Sequence, residues 1–350
     1  MSREAIKLHT REIKPHKATS SAEFGSRTVL TNSPWEYVSL WLKRKDAQKA
    51  LFYWSQARAF SAGAQSLPPE SAPLLHYYTF MNATKALLVA KHVELQEFHG
   101  VRKHNMRNAS QSIDLDNEGI RIEKNGVLPG LSRILQEKEE TSLHSMKELL
   151  FNIPCIHRTF CITYENESEI FIPLTECKYI FDANSNDAYL TGKISSDFDH
   201  QAYINRLPNT LIFDPAGDSD RCIRSASAFK LTDSTIRTTN DAAEIAKLNR
   251  QLRPDLQYIA GSTTLWYAKA KVAQGTNRLQ RSPLTLILAA MHRLSELSRY
   301  SPMELSNFFK GPQNWLLSEF IQMAPQQFID EISAEITGHQ CMTPNVRPAS

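Results

Sequence analysis

Six side chains are spaced so that they could assemble one chemical site: Tyr78, Asn82, Lys85, His99, Arg299 and Tyr300. Tyr78, Asn82 and Lys85 follow one another at steps of four and three, so a helix places them on a single stripe. Arg299 and Tyr300 end a second apolar stretch that should pack near the first. Arginine and lysine there could hold a phosphate, with His99 as acid or base. The same groups could instead form a hydrogen-bond network that joins helix ends to the His99-Gly100 turn. That structural role is favoured, because neither a glycine-rich phosphate loop nor a complete set of paired carboxylates accompanies them. A second group, Arg102, Lys103, His104 and Arg107, is the one local cluster of positive charge behind a structured element, and it offers a contact for nucleic acid.

Other motifs carry less. Glu169 precedes Glu176-Cys177-Lys178, an acid followed by E-x-K, as Mg²⁺-dependent nucleases use. Its Pro-Asp element is missing, and cross-strand charge pairing explains it better. Asp114, Asp116 and Glu118-Gly119 open like a calcium loop, but Asn125 stands where the closing glutamate belongs. HEPN-type ribonucleases use an arginine followed four to six residues later by histidine. Arg102 and His104 are too close for that, and His292 and Arg293 stand in the wrong order. No metal site and no cofactor are expected, and 12 glycines leave little for a nucleotide-cradling loop.

The chain has 350 residues with 41% apolar and 22% charged side chains, the make-up of a folded protein with a sizeable core. A formal net charge of +3 gives no global field for nucleic acid. Five cysteines without a C-x-x-C pair point to reduced thiols rather than a disulfide framework or a zinc knuckle. No apolar run reaches the about 18 residues that a membrane span needs, and the N-terminal stretch lacks a signal-peptide core. A cytoplasmic protein away from membranes is expected.

The elements that must position these groups divide the chain. Residues 1–33 form a polar, basic arm, and residues 34–110 a first helical part. Ser33-Pro34 starts a helix that faces Trp35, Val38 and Leu42 inward; an alanine-rich helix follows over about 46–64. From Pro73 runs a helix apolar nearly all round, which must therefore be central in a bundle. Residues 111–240 read as a β-rich insertion, with a hairpin at Asn125-Gly126 and a helix over about 131–150. Helices return over residues 241–338, including Leu256–Ala273 and Pro283–Tyr300, and residues 339–350 form a loose tail. The class is α+β: a helical bundle built from the N- and C-terminal parts, with an inserted, mainly antiparallel β domain.

Three stretches together resemble the YaaC-like family of bacterial proteins. They are APLLHYYTFMNATKALLVAKHVELQEFHG, the Trp35 helix with its alanine-rich successor, and MHRLSELSRYSPMEL. The resemblance spans about Trp35 to Ile336 and implies a fold more than a mechanism. With no complete catalytic set in view, the leading expectation is a subunit that binds a protein partner or a second copy of itself, with antiphage defence as one setting. The alternative is a nucleic-acid enzyme, either a divergent HEPN-like ribonuclease or a Mg²⁺-dependent nuclease.

Overall fold

The computed structural model describes residues 3–107, 114–198, 201–272 and 274–343. Along the chain come β1 (Arg3–Ala5), β2 (Lys7–Leu8), β3 (Arg11–Glu12) and β4 (Val29–Leu30), then α1 (Pro34–Arg44), α2 (Gln48–Ala64) and α3 (Ala72–Ala90). Strands β5 (Val101–Asn105) and β6 (Glu118–Ile122) precede α4 (Val127–Ile134), β7 (Leu143–Ser145), α5 (Met146–Phe151) and α6 (His157–Thr163). Next come β8 (Phe171–Asp182), β9 (Asp187–Ile194), α7 (Gln201–Ile204), β10 (Leu211–Phe213), β11 (Cys222–Ser225) and β12 (Phe229–Lys230). Helix α8 (Thr239–Leu252), β13 (Leu256–Ile259), β14 (Leu265–Lys269), α9 (Pro283–Tyr300), α10 (Pro302–Lys310), α11 (Asn314–Thr337) and β15 (Cys341–Met342) complete the order. Helices and largely antiparallel sheets make the class α+β, as expected.

The chain divides into two compact units. One joins Met1–Leu30, Glu169–Ala273 and Gly338–Ser350; the other joins Thr31–Ser168 and Gln274–Thr337. These boundaries differ from the expected ones at both ends. The polar stretch before residue 34 is not a loose arm: β1 pairs antiparallel with β8, and Ile6 and Ile13 are 0% and 4% exposed in the sheet core. Its apolar side chains are few but correctly spaced for one buried face. The backbone fixes them there, with Ile6 N–H donating to Tyr179 O and Tyr179 N–H to Ile13 O.

In this first unit an eight-stranded sheet runs β10-β11-β9-β8-β14-β13, with β1 added on β8 and β12 on β9. Helix α8 covers it through Ile245, Leu248 and Leu252. Of the segment 256–273 expected as helix, residues 256–269 are instead the β13–β14 hairpin, in which Tyr258 faces Trp266, and residue 273 lies outside the described residues. Gly261-Ser262 turns the chain, and aromatic residues suit a pleated surface. Leu265 and Tyr267, apolar or aromatic side chains on the less buried face of β14, hide the two-residue period that would announce a strand. Near the C-terminus, β15 pairs in parallel with β4; the rest of the expected tail, from Pro344, lies outside the described residues.

The second unit is built on α3. It packs against α2, α4, α9 and α11, which explains an apolar surface on every side. Phe80 stacks on Phe328 of α11 with centroids 4.3 Å apart. Asn125-Gly126 makes no hairpin: Gly126 instead precedes the first turn of α4. The helix expected over 131–150 is broken into α4, β7 and α5 by the polar run Gln136–Thr141. Among the described residues no helix is long and apolar enough to cross a membrane, and no disulfide links the five cysteines.

Four buried histidines make both units sensitive to acid. Burial lowers His16 and His292 to about 3, and His76 and His144 to about 4. In the unfolded chain each titrates near about 6.5. As pH falls from about 6.5 toward 4, the unfolded state therefore binds protons that the folded state refuses, and stability is lost progressively. Urea unfolding followed by circular dichroism should show a lower midpoint at pH 5 than at pH 7. An equal or higher midpoint at pH 5 would contradict the buried, neutral state of these imidazoles.

Candidate functional site

A backbone crossing places His99. A Cβ on Gly126 would lie 2.5 Å from the Gly100 Cα, and one on Gly100 2.4 Å from Pro129 Cδ. Both glycines also adopt positive φ, 75° and 120°. The first turn of α4 docks onto this crossing: Val127 N–H donates to Phe98 O and Leu128 N–H to His99 O. His99 thus stands on a rigid corner, although it belongs to a connecting segment.

Helix α3 brings Tyr77 to it. The phenol is 1% exposed, and its oxygen is hydrogen-bonded to His99 Nδ1 and lies 3.0 Å from Met81 Sδ. One hydroxyl proton cannot serve two acceptors. Both contacts are satisfied when His99 Nδ1–H donates to the phenol oxygen and the phenol O–H donates to Met81 Sδ. That arrangement leaves a lone pair on His99 Nε2, the form that a general base requires. Burial raises the Tyr77 pKa far above its ordinary value, so the phenol keeps its proton. His99 is shifted down by burial, then by the charges of Arg299 and Lys85.

Helix α9 supplies the other wall. His292, Glu296 and Arg299 recur at steps of four and three on one face. The His292 ring meets the Tyr77 ring edge-on at 5.0 Å and lies 5.7 Å from the His99 ring. It is 4% exposed, its Nδ1 has no hydrogen-bond partner among the described residues, and Glu296 Oε2 is 3.7 Å away. Burial raises the Glu296 carboxyl, against the pull of Arg293, Arg299 and Lys103. Arg293 is clamped to Glu118 of β6, its Nε donating to Oε2 at 2.9 Å, and its Nη1 reaches Glu296 Oε2 at 3.4 Å.

Of the six residues read from sequence, the structure sets His99, Lys85 and Arg299 about this centre, gives Tyr78 and Asn82 local contacts, and leaves Tyr300 at the surface. Tyr78 stacks on Phe60, Asn82 Nδ2 donates to Tyr78 O, and Tyr300 is 74% exposed beneath the Arg299 guanidinium. Lys85 lies over the Tyr53 ring. The basic cluster is split. Arg102 is paired with Glu123, Lys103 acts on Glu296, and Arg107 lies 3.8 Å from Asp114. His104 sits half-buried on β5.

Sequence reasoning missed Tyr77, His292 and Glu296. The His292-to-Glu296 spacing of four was legible, whereas nothing local distinguishes Tyr77 from Tyr78. In the sheet unit, Glu176 sits at a bulge in β8 and is paired with Lys193 at 3.0 Å. Among the described residues no group of three or more His, Cys, Asp or Glu is arranged to hold a metal ion.

The Arg293–Glu118 pair is nearly buried, with side chains 2% and 7% exposed. Removing one partner leaves the other charge without compensation, at a cost of about 3–5 kcal/mol. Arg293→Met should therefore lower the unfolding free energy by that order, and Glu118→Leu added to it should restore most of the loss. A single variant within about 1 kcal/mol of the parent would show that the clamp carries little of the stability.

Residues 16–336 match the profile of the family described as YaaC-like protein, which covers most of the chain. No curated protein and no solved structure matches it. The stretch matched contains α3, the His99-Gly100 corner and α9 entire, so this chain belongs to the YaaC-like protein family.

Proposed function

We propose that the protein is an acid–base enzyme acting on a phosphate ester, the nucleic-acid-directed alternative rather than a passive subunit. The observation that carries the reading is the pair of imidazoles 5.7 Å apart, both held below their ordinary pKa, with the charge of Arg299 acting on both and that of Lys85 on His99. His99 Nε2 would take the proton of an attacking hydroxyl. Arg299 and Lys85 would offset the charge on the phosphate, and Glu296, raised by burial, could return a proton to the leaving oxygen. A base lowered below about 6.5 stays unprotonated at neutral pH, so the acidic limb of the rate profile should lie below that value.

The test uses bis(p-nitrophenyl) phosphate and labelled single-stranded RNA, with EDTA present. Wild-type protein should cleave, and His99→Gln, checked for folding by near-UV circular dichroism, should lose about 10²–10⁴-fold in rate. No cleavage by the wild type, or equal rates for a folded His99→Gln variant, would overturn the reading. Cleavage by the wild type abolished by EDTA would point to the metal-nuclease alternative.

A second reading, the subunit that binds a protein partner, is supported by exposed apolar side chains from the end of α9 to the start of α11. Tyr300, Met303 and Trp315 are 74%, 71% and 49% exposed. A stoichiometric partner lost on Tyr300→Ser/Met303→Ser substitution would favour it, and retention by that variant would count against it.

A further inference from the structure

We infer that the outer face of the β5–β6 pair is a track for a polyanion, the sugar-phosphate backbone of single-stranded nucleic acid, leading to His99. The inference rests on the acid–base reading for its destination alone. The register sets Val101 opposite Ile122, Arg102 opposite Arg121, Lys103 opposite Ile120 and His104 opposite Gly119. Opposed residues share a face and successive ones alternate. Val101, Ile120, Ile122 and Glu118 are buried on the inner face, where Glu118 clamps Arg293 of α9 and Lys103 acts on Glu296. Arg102, Arg121 and His104 therefore share the outer face.

Two arginines directly opposite each other repel, and a sheet does not gain from that pairing. Glu123 answers Arg102, but among the described residues Arg121 has no ion pair. Charge on an edge strand can be explained as protection against strand addition. That accounts for β5, an edge in the order β5-β6-β7, and not for Arg121 on the central strand. An anion bridging Arg102 and Arg121 removes the repulsion.

The ligand must also be extended. Lys103, Lys85 and Arg299 serve the inner site, while Arg102 and Arg121 stand on the opposite face of the strand pair. One small phosphate cannot reach both sets. Arg102 follows His99 by three residues, a span of at most about 10 Å, so a polymer entering along this face continues into the site.

Fluorescence anisotropy with a labelled, single-stranded 2′-O-methyl RNA, which resists cleavage through its 2′ oxygen, tests the track across a salt series. Wild type should bind with a steep salt dependence. Arg121→Gln should weaken binding several-fold at low salt and reduce the slope of log K against log salt by about 1, and Arg121→Lys should restore both. His99→Gln should leave the slope unchanged. An unchanged slope in Arg121→Gln, no binding by the wild type, or poly-glutamate binding as tight as RNA would overturn the inference. Loss of small-phosphodiester cleavage in His99→Gln without RNA binding would leave the acid–base reading standing and remove the track. Arg121-dependent RNA binding with cleavage indifferent to His99 would do the reverse.

Discussion

Gly100 and Gly126 cross with no room for a side chain on either, and the geometry of the helical unit's site follows from that contact. The crossing sets the carbonyls of Phe98 and His99 in front of the first N–H groups of α4, which a helix cannot satisfy within itself. It also determines the direction in which β5 leaves the corner. A histidine from a connecting segment thereby becomes as well fixed as one on a helix, and the Tyr77 contact becomes a matter of rigid geometry.

Around that corner the charges are sorted by burial. Arg293 and Glu118 neutralise each other deep in the unit, whereas Arg299 and Lys85 act on His99, and Arg299 and Lys103 on Glu296. Desolvation lowers both histidines, and the nearby cations push in the same direction. Glu296 moves the opposite way, its proton affinity rising while that of His292 falls to about 3. Titratable groups shifted in opposite directions within one site are how acid and base roles come to be divided.

Much of the frame was legible in the sequence. An apolar circumference announced α3 as central, and the helix expected over Pro283–Tyr300 is α9, capped by Ser282 Oγ accepting from Leu284 N–H. His99, Lys85 and Arg299 were named from spacing and charge alone. What escaped depended on contacts between distant segments. Tyr77 is singled out from Tyr78 by the crossing some twenty residues later, through its contact with His99. Asn125-Gly126 has the residues of a tight hairpin, yet tertiary docking of α4 on Gly100 overrides that local preference. Ile6 and Ile13 lie in a stretch whose average polarity suits an arm, yet two well-placed apolar residues suffice to bury one face. The β13–β14 hairpin was masked because apolar residues stand on both faces of β14, Leu265 exposed beside buried Trp266.

The most direct test of the central claim is an NMR titration of the ring nitrogens and carbons of His99 and His292. The account expects both to be neutral at pH 7, His292 titrating near 3 and His99 below about 6.5, with the His99 proton on Nδ1. A His99 or His292 that titrates at or above about 6.5, or a His99 carrying its proton on Nε2, would contradict it.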